Sequence, residues 1–271
     1  MTNSCGNLMP IGGAEERVRN RVVLRRFVEI CGGSDARIAI IPTASRLEDI
    51  GAEYESIFGE LDAGASRTVE VNERTDAEDT RWVETIDWAT GVFFTGGNQL
   101  RLSTILGGTA VGNAIRQRHR EGLHVGGTSA GAAILSEHMI AFGREGSTPI
   151  ASMVTLSPGL GLTNDVIIDQ HFRQRDRLGR LVTALSFNPF AVGMGLDEDT
   201  AAIIRPDRVL EVCGSGAITI VDPSDVEYSS MDSARPDDPI TILGLRLHLL
   251  TDGGSFDIER RTARAAPARK A

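Results

Sequence analysis

Three features of the sequence predict an α/β fold built on a mostly parallel sheet. Before Thr200, short β-branched runs alternate with helix-length amphipathic stretches. Runs such as Ile38–Ile41 and Gly91–Phe94 read as buried strands, as expected where helices cover both faces of a sheet. From Thr200 onward the pattern changes to strands separated by short turns, which adds antiparallel strands at the carboxyl-terminal edge. The expected architecture has three layers, with helices on both faces of the sheet. A single domain is expected over residues 1–261, and the Ala/Arg/Pro-rich segment 262–271 reads as a disordered tail.

Residues 15–31 carry Val18, Val22, Val23, Phe27 and Ile30 close to a 3.6-residue period, which predicts a helix ended by Gly32-Gly33. Residues 37–42 read as a buried strand closed by Pro42. A second helix is expected over 52–61, a strand over 68–71 and a third helix over 77–85. Gly91 to Thr95 forms another apolar run, cut off by Gly96-Gly97. Helices over 100–106 and 111–120 then lead into a strand over 123–126. Further strands are expected within Val166–Phe172 and at 191–196, and later at 202–204, 209–212, 217–221 and 240–250. No internal repeat and no long linker interrupts this order.

Composition narrows the function. The 271 residues are 41% hydrophobic and 24% charged, which fits a globular chain and excludes global disorder. Against 28 Lys and Arg stand 37 Asp and Glu, a net charge of −9, which disfavours a nucleic-acid partner. Cys5, Cys31 and Cys213 are odd in number and far apart, so they suggest reduced thiols, neither a disulfide framework nor a zinc cluster. The polar start of the chain shows no signal peptide, and the apolar runs are strand-sized, so no membrane span is expected and the default address is the cytoplasm.

In open α/β sheets ligands sit beyond the carboxyl ends of the strands, so the informative residues should follow strands. Gly127-Thr128-Ser129-Ala130-Gly131 matches G-x-S-x-G between an apolar strand and a small-residue helix start. That setting suits a nucleophile elbow, in which small neighbours allow a strained turn that lifts the serine Oγ above the sheet. Ser129 is therefore the candidate nucleophile. An oxyanion hole would draw on the N–H of Ala130 and on Gly97, in the Gly96-Gly97 loop after the neighbouring strand.

Among the five histidines, His119 and His124 flank a helix-to-strand turn and look exposed, His138 falls in a turn, and His248 lies among leucines. His171 stands at the end of the apolar run Val166 to Phe172, where a general base could be presented. The orienting acid has three candidates: Asp169 on the same strand face, Glu145 in the polar loop 144–148, and the Asp197-Glu198-Asp199 group. Arg173, Arg175, Arg177 and Arg180 form a basic island directly after His171. Guanidinium forks there suit a carboxylate-bearing substrate, while Asp169 and Gln170 could receive a cationic group on the same molecule.

Together these residues resemble the cyanophycinase family, serine exopeptidases of the peptidase group that also contains aspartyl dipeptidase. The resemblance rests on Ile40-Ile41-Pro42-Thr43-Ala44-Ser45, the run Phe93 to Leu102, and Gly126 to Ala132. It rests also on Pro158 to Leu162, Ile167 to Phe172, Gly179-Arg180-Leu181 and Gly195 to Ala201. It runs from about Gly12 to about Val221, with motif order and spacing in agreement.

The resemblance implies a class I glutamine amidotransferase-like fold with serine in the elbow. It implies release of β-aspartyl-arginine dipeptides from cyanophycin, a polyaspartate bearing arginine on each side chain. Ser129 matches the family's nucleophile and His171 its base, while Gln99, Asp169, Gln170, Arg175, Arg177 and Arg180 match positions that hold substrate. The family's acid stands two residues before a proline in the loop after the elbow. Ser147 holds that place before Pro149, so the nearest acid, Glu145, takes the role in this reading. No metal and no cofactor is implied, and exposed late strands are compatible with a homodimer. Two other readings remain: a dipeptidase acting on small aspartyl or isoaspartyl peptides, and a catalytically poor binding or sensing homologue that keeps the elbow as scaffold.

Overall fold

The computed structural model of the chain describes residues 5–267. The first four residues of the expected leaderless start and the last four of the expected tail lie outside the described residues.

Parallel strands need long crossovers, and the first half of the chain supplies them as helices. In order these are β1 (Leu8–Ile11), α1 (Val22–Ile30), β2 (Arg37–Ile41), α2 (Ile50–Glu60), β3 (Ala65–Thr68), α3 (Thr80–Trp88) and β4 (Gly91–Phe94). Then follow α4 (Gln99–Leu106), α5 (Ala110–Arg120), β5 (His124–Thr128) and the one-turn α6 (Ala130–Ala133). Next come the hairpin β6 (His138–Gly143) and β7 (Val154–Pro158), β8 (Val166–Asp169), α7 (Leu178–Phe187) and β9 (Val192–Leu196). The remainder is β10 (Thr200–Ile204), β11 (Val209–Gly214), β12 (Ala217–Asp222), β13 (Tyr228–Ser229), β14 (Ile242–Leu243), β15 (Arg246–Thr251), β16 (Ser255–Asp257) and β17 (Thr262–Arg264).

Among the described residues the main sheet has nine strands in the order β17-β16-β11-β10-β1-β5-β4-β2-β3. From β1 to β3 every pairing is parallel, and from β1 outward through β10, β11, β16 and β17 every pairing is antiparallel. Consecutive residues of β4 feed opposite faces: Phe94 joins the core under α3, α4 and α5, while Phe93 joins the one under α1 and α2. On the latter face Phe27, Tyr54, Phe58 and Phe93 form an aromatic knot, with ring centroids from 4.9 to 6.0 Å apart. β5 passes over that knot at Gly126, where a Cβ would fall 2.6 Å from the Phe27 ring.

Three expectations need correction. The late strands do not all join one edge: β12 and β15 pair with β9 and β8 in a second sheet, ordered β15-β12-β9-β8. The first helix begins at Val22, not at Glu15, because the Glu15 side chain is buried in contacts that hold the preceding segment as a loop. The tail expected from Thr262 onward begins instead as β17, which pairs along β16 and closes the sheet edge.

Candidate active site

The carboxyl ends of β1, β5, β4 and β2 lie side by side, and the loops leaving them build one rim. Ser129 leaves β5 with φ 54° and ψ −110°, a conformation that non-glycine residues rarely adopt. Its neighbours make that turn sterically possible. A Cβ on Gly127 would lie 2.2 Å from the Gly131 carbonyl oxygen, and one on Gly131 would lie 2.3 Å from that of Phe94. The Ser129 N–H donates to the Ile11 carbonyl at 2.9 Å, tying the elbow to β1.

Ser129 Oγ stands 2.9 Å from His171 Nε2, and His171 Nδ1 stands 2.7 Å from Glu198 Oε1. His171 also has a positive φ, 48°, and its N–H donates to the Gly12 carbonyl at 2.8 Å. Gly13, at φ 100°, seats the imidazole, since a Cβ there would fall 2.4 Å from His171 Cε1. Burial lowers the His171 pKa, the Glu198 hydrogen bond raises it, and Arg175 and Arg177 lower it again. The net shift is downward, so the ring is a neutral acceptor at neutral pH.

The acid on His171 is thus Glu198, in the turn between β9 and β10, and not Glu145. Glu145 is exposed, in a loop pinned elsewhere: the Gly146 N–H donates to the Asp176 carbonyl at 2.6 Å, and the Gly179 N–H donates to that of Gly146 at 3.0 Å. The charge of Glu145 is felt by Arg177, on the arginine segment. Ser147 shares that exposed loop.

Beside the elbow, a Cβ on Gly96 would come within 3.6 Å of Ser129 Cβ. Gly97, at φ 146°, leaves no space for a side chain, because a Cβ would lie 2.1 Å from the Ala44 carbonyl oxygen. The loop is held by the Thr95 N–H on Ile41 O at 3.1 Å and the Asn98 N–H on Ala44 O at 2.9 Å. The Asn98 side chain also caps α4, accepting from Leu100 N and Arg101 N. Ala130, on the other side of Ser129, opens α6.

The basic island divides. Arg173 and Arg175 are exposed, whereas Arg177 and Arg180 are buried with Asp169 and Gln170. Arg180 grips Asp169 with both Nε, at 2.6 Å, and Nη2, and the Gln170 N–H adds a third donor at 2.9 Å. Arg177 Nη1 donates to the Gln170 carbonyl at 2.6 Å and lies 3.5 Å from Asp169. Burial pushes the Arg177 pKa down to about 10. With an exposure of 0% and these donors in place, Asp169 has no face left for a substrate guanidinium, contrary to expectation. Gln99 is likewise engaged, its Nε2 donating to the carbonyls of Ile140 and Ala141 at 3.1 and 2.9 Å. Arg173 reaches Asp197 at 3.4 Å, while among the described residues the Arg175 guanidinium has no ion-pair partner.

The other histidines stand apart from Ser129. His119 is buried, contrary to expectation, with Nδ1 3.0 Å from Leu123 O and Nε2 3.2 Å from Cys5 Sγ. His124 is half-buried, and its Nδ1 accepts the Asn7 N–H at 3.0 Å. Sequence reasoning passed over Gly12-Gly13 as a site element. Its signal was available, being a glycine pair directly after an apolar strand, the same pattern that pointed to Gly96-Gly97.

The profile of Peptidase family S51 matches residues 8–212. Curated relatives named cyanophycinase include one from Geminocystis herdmanii, 43% identical over 253 residues that cover 93% of each chain. Another, from Nostoc sp., is 44% identical over 257 residues, covering 94% of this chain and 86% of the relative. A third, from Thermosynechococcus vestitus, is 44% identical over 255 residues, with coverage of 93% and 79%. Among solved structures, a peptidase from an acI-B1 Actinobacterium superposes with a TM-score of 0.67 at 20% identity, covering 94% of this chain and 98% of that one. A putative peptidase E protein from Listeria monocytogenes gives 0.56 at 17% identity, covering 78% and 100%. At these identities the structural likeness concerns the fold.

Proposed function

The chain belongs to peptidase family S51, and we propose that it is a cyanophycinase, a serine exopeptidase that releases β-Asp-Arg dipeptides from cyanophycin. The observation that carries the catalytic part is the hydrogen-bonded chain from Ser129 Oγ through His171 to Glu198, set on a strained elbow.

In this reading Ser129 Oγ attacks the scissile carbonyl carbon while His171 Nε2 takes the hydroxyl proton. Glu198 accepts from His171 Nδ1–H, which fixes the tautomer that leaves Nε2 free and stabilises the imidazolium once formed. The oxyanion meets the backbone N–H groups of Gly97 and Ala130. His171 returns its proton to the leaving amine, giving an acyl-enzyme, and then activates the water that hydrolyses it. Arg175 is the guanidinium free to meet a substrate carboxylate. Gln99, Gln170, Arg177 and the Asp169–Arg180 pair, engaged with one another or with backbone, serve as framework near the site in this reading.

Among the described residues no helix is long and apolar enough to cross a membrane. Work in the cytoplasm, as a homodimer, belongs to the same proposal. The departure at Ser147 does not favour the non-catalytic reading, because Glu198 fills the acid's place on His171.

Hydrolysis of purified cyanophycin, compared with β-Asp-Arg and other isoaspartyl dipeptides, tests the proposal. The wild type should release dipeptides from the polymer. Ser129→Ala should lower turnover by about 10⁶ relative to it. Equal activity in the two proteins would end the serine mechanism, and cleavage of small dipeptides alone would move the substrate.

A further inference from the structure

Glu15 holds a buried carboxylate that the mechanism above does not use. It is 4% exposed, in the loop after β1, and burying a carboxylate there costs free energy that its hydrogen-bond partners must offset. Its Oε2 accepts from Thr128 Oγ1 at 2.5 Å, and its Oε1 accepts from the Tyr54 O–H and from Arg17 Nε at 3.2 Å. Thr128 is the last residue of β5, directly before Ser129. Tyr54 belongs to α2 and stacks in the aromatic knot under the sheet. Burial, reinforced by Glu15 itself, holds the Tyr54 phenol well above its ordinary pKa, so it remains a donor. Thus one carboxylate ties the end of the elbow strand to the rigid core of the domain.

The same loop touches the other two members of the triad. The Gly12 carbonyl receives the His171 N–H at 2.8 Å, and the Gly13 carbonyl receives the Asp199 N–H at 2.9 Å. One residue beyond Glu15, the Glu16 N–H donates to Asp199 Oδ1 at 3.0 Å, beside Glu198. Residues 12–16 therefore contact the segments bearing Ser129, His171 and Glu198, and the Glu15 side chain is their anchor into the core.

We propose that Glu15 is a positioning residue for catalysis: through Thr128 and its own loop it holds Ser129 at hydrogen-bond distance from His171. This rests on the reading of Ser129 as nucleophile. The strained φ of Ser129 survives only where its surroundings over-determine it, and the Glu15–Thr128 link constrains the residue directly before it. Loosening that link moves Oγ away from Nε2 without touching the substrate pocket, so it lowers the rate of acylation and leaves binding alone.

The test uses Glu15→Gln and Thr128→Val in the full chain. The readouts are kcat per titrated active site, KM, and the rate constant for labelling of Ser129 by a serine-reactive phosphonate. Both variants should lose about tenfold or more in kcat and in labelling rate together, with KM within about twofold of wild type. In the double variant the losses should fall short of their product, because both changes break one link. A role confined to stability would lower the number of titratable sites and leave each site's rate unchanged. Rates per site within about twofold of wild type in both variants would therefore overturn the proposal. Should Glu15→Gln not fold, Thr128→Val decides alone, since it removes one hydroxyl at nearly constant shape. A wild type that takes no label at Ser129 would overturn the nucleophile reading itself, an outcome distinct from unchanged rates in the variants.

Discussion

Arg173 and Arg175 lie a few residues from Arg177 and Arg180, yet the two pairs live in opposite surroundings. The first pair sits in solvent on a short 3-10 turn. Asp176, at φ 46°, then turns the chain inward, and Arg177 and Arg180 enter the interior at the start of α7. There they meet Asp169, at the buried end of β8. A solvated guanidinium such as that of Arg175 is open to an anion, whereas a buried one paired with Asp169 belongs to the framework. Identical residue types at close spacing thus divide into solvent-facing and buried groups according to which way one turn points.

The largest effect should come where this division meets the triad. Glu145 belongs electrostatically with the arginines and Glu198 with His171. Glu198→Gln should cost up to about 10⁴ in kcat, and Glu145→Gln should stay within about twofold of wild type. Steady-state turnover on cyanophycin measures both, and the reverse order would return the acid's role to the exposed loop.

Next in size is the buried pair. Asp169→Asn leaves Arg180 charged and uncompensated in the interior, and should destabilise the fold by about 3–5 kcal/mol in urea titration. A loss below about 1 kcal/mol would mean that the buried arginines are no more structural than the exposed ones.

Among the exposed pair the effects should fall on binding. Arg175→Ala removes a free guanidinium and should raise KM about tenfold with little change in kcat. Arg173→Ala removes one already engaged by Asp197, and about a twofold rise in KM is expected. Equal effects would erase the distinction between free and engaged arginines.

The smallest expected effect is a displacement in pH. The base must be neutral to work, so activity is present above the His171 pKa and lost as pH falls through it. Burial lowers that pKa, so the acid limb of kcat/KM should have its midpoint below the ordinary histidine value of about 6.5. Arg175 lowers it too, so Arg175→Ala should move the limb to higher pH. Glu198 raises it, so residual activity in Glu198→Gln should carry a limb at lower pH. A pH–rate profile in which Arg175→Ala leaves the limb in place would detach the exposed arginine from the histidine.

Much of this was legible in the sequence because it is local. The apolar stretches within β2, β4 and β5 announce a sheet covered on both faces, and Gly127 and Gly131 announce the turn that only small residues permit. His171 was legible because it follows a buried strand. Glu198 could be named only as one of several acids, since its contact with His171 spans 27 residues and depends on β8 pairing in parallel with β9. The burial of Arg177 and Arg180 was hidden for the same reason, as nothing in their spacing reports the Asp176 turn. The overlong first helix has a different cause. Val18 satisfies the period but stands exposed, and what decides the segment is a carboxylate whose partners lie on β5 and α2.

Backbone torsion at the rim has a thermal consequence. Ala14, Ser129, His171 and Asp199 hold φ values of 45°, 54°, 48° and 50°, each at a cost of about 1–3 kcal/mol relative to relaxed backbone. These residues meet in one place, and the parallel core below them carries none of that load. On warming, the rim should relax before the sheet does, so catalysis is expected to fade while the far-ultraviolet signal of the folded protein is still intact. The upper temperature of useful activity should then be set by the rim loops before the core gives way, which activity and far-ultraviolet melts measured together would check.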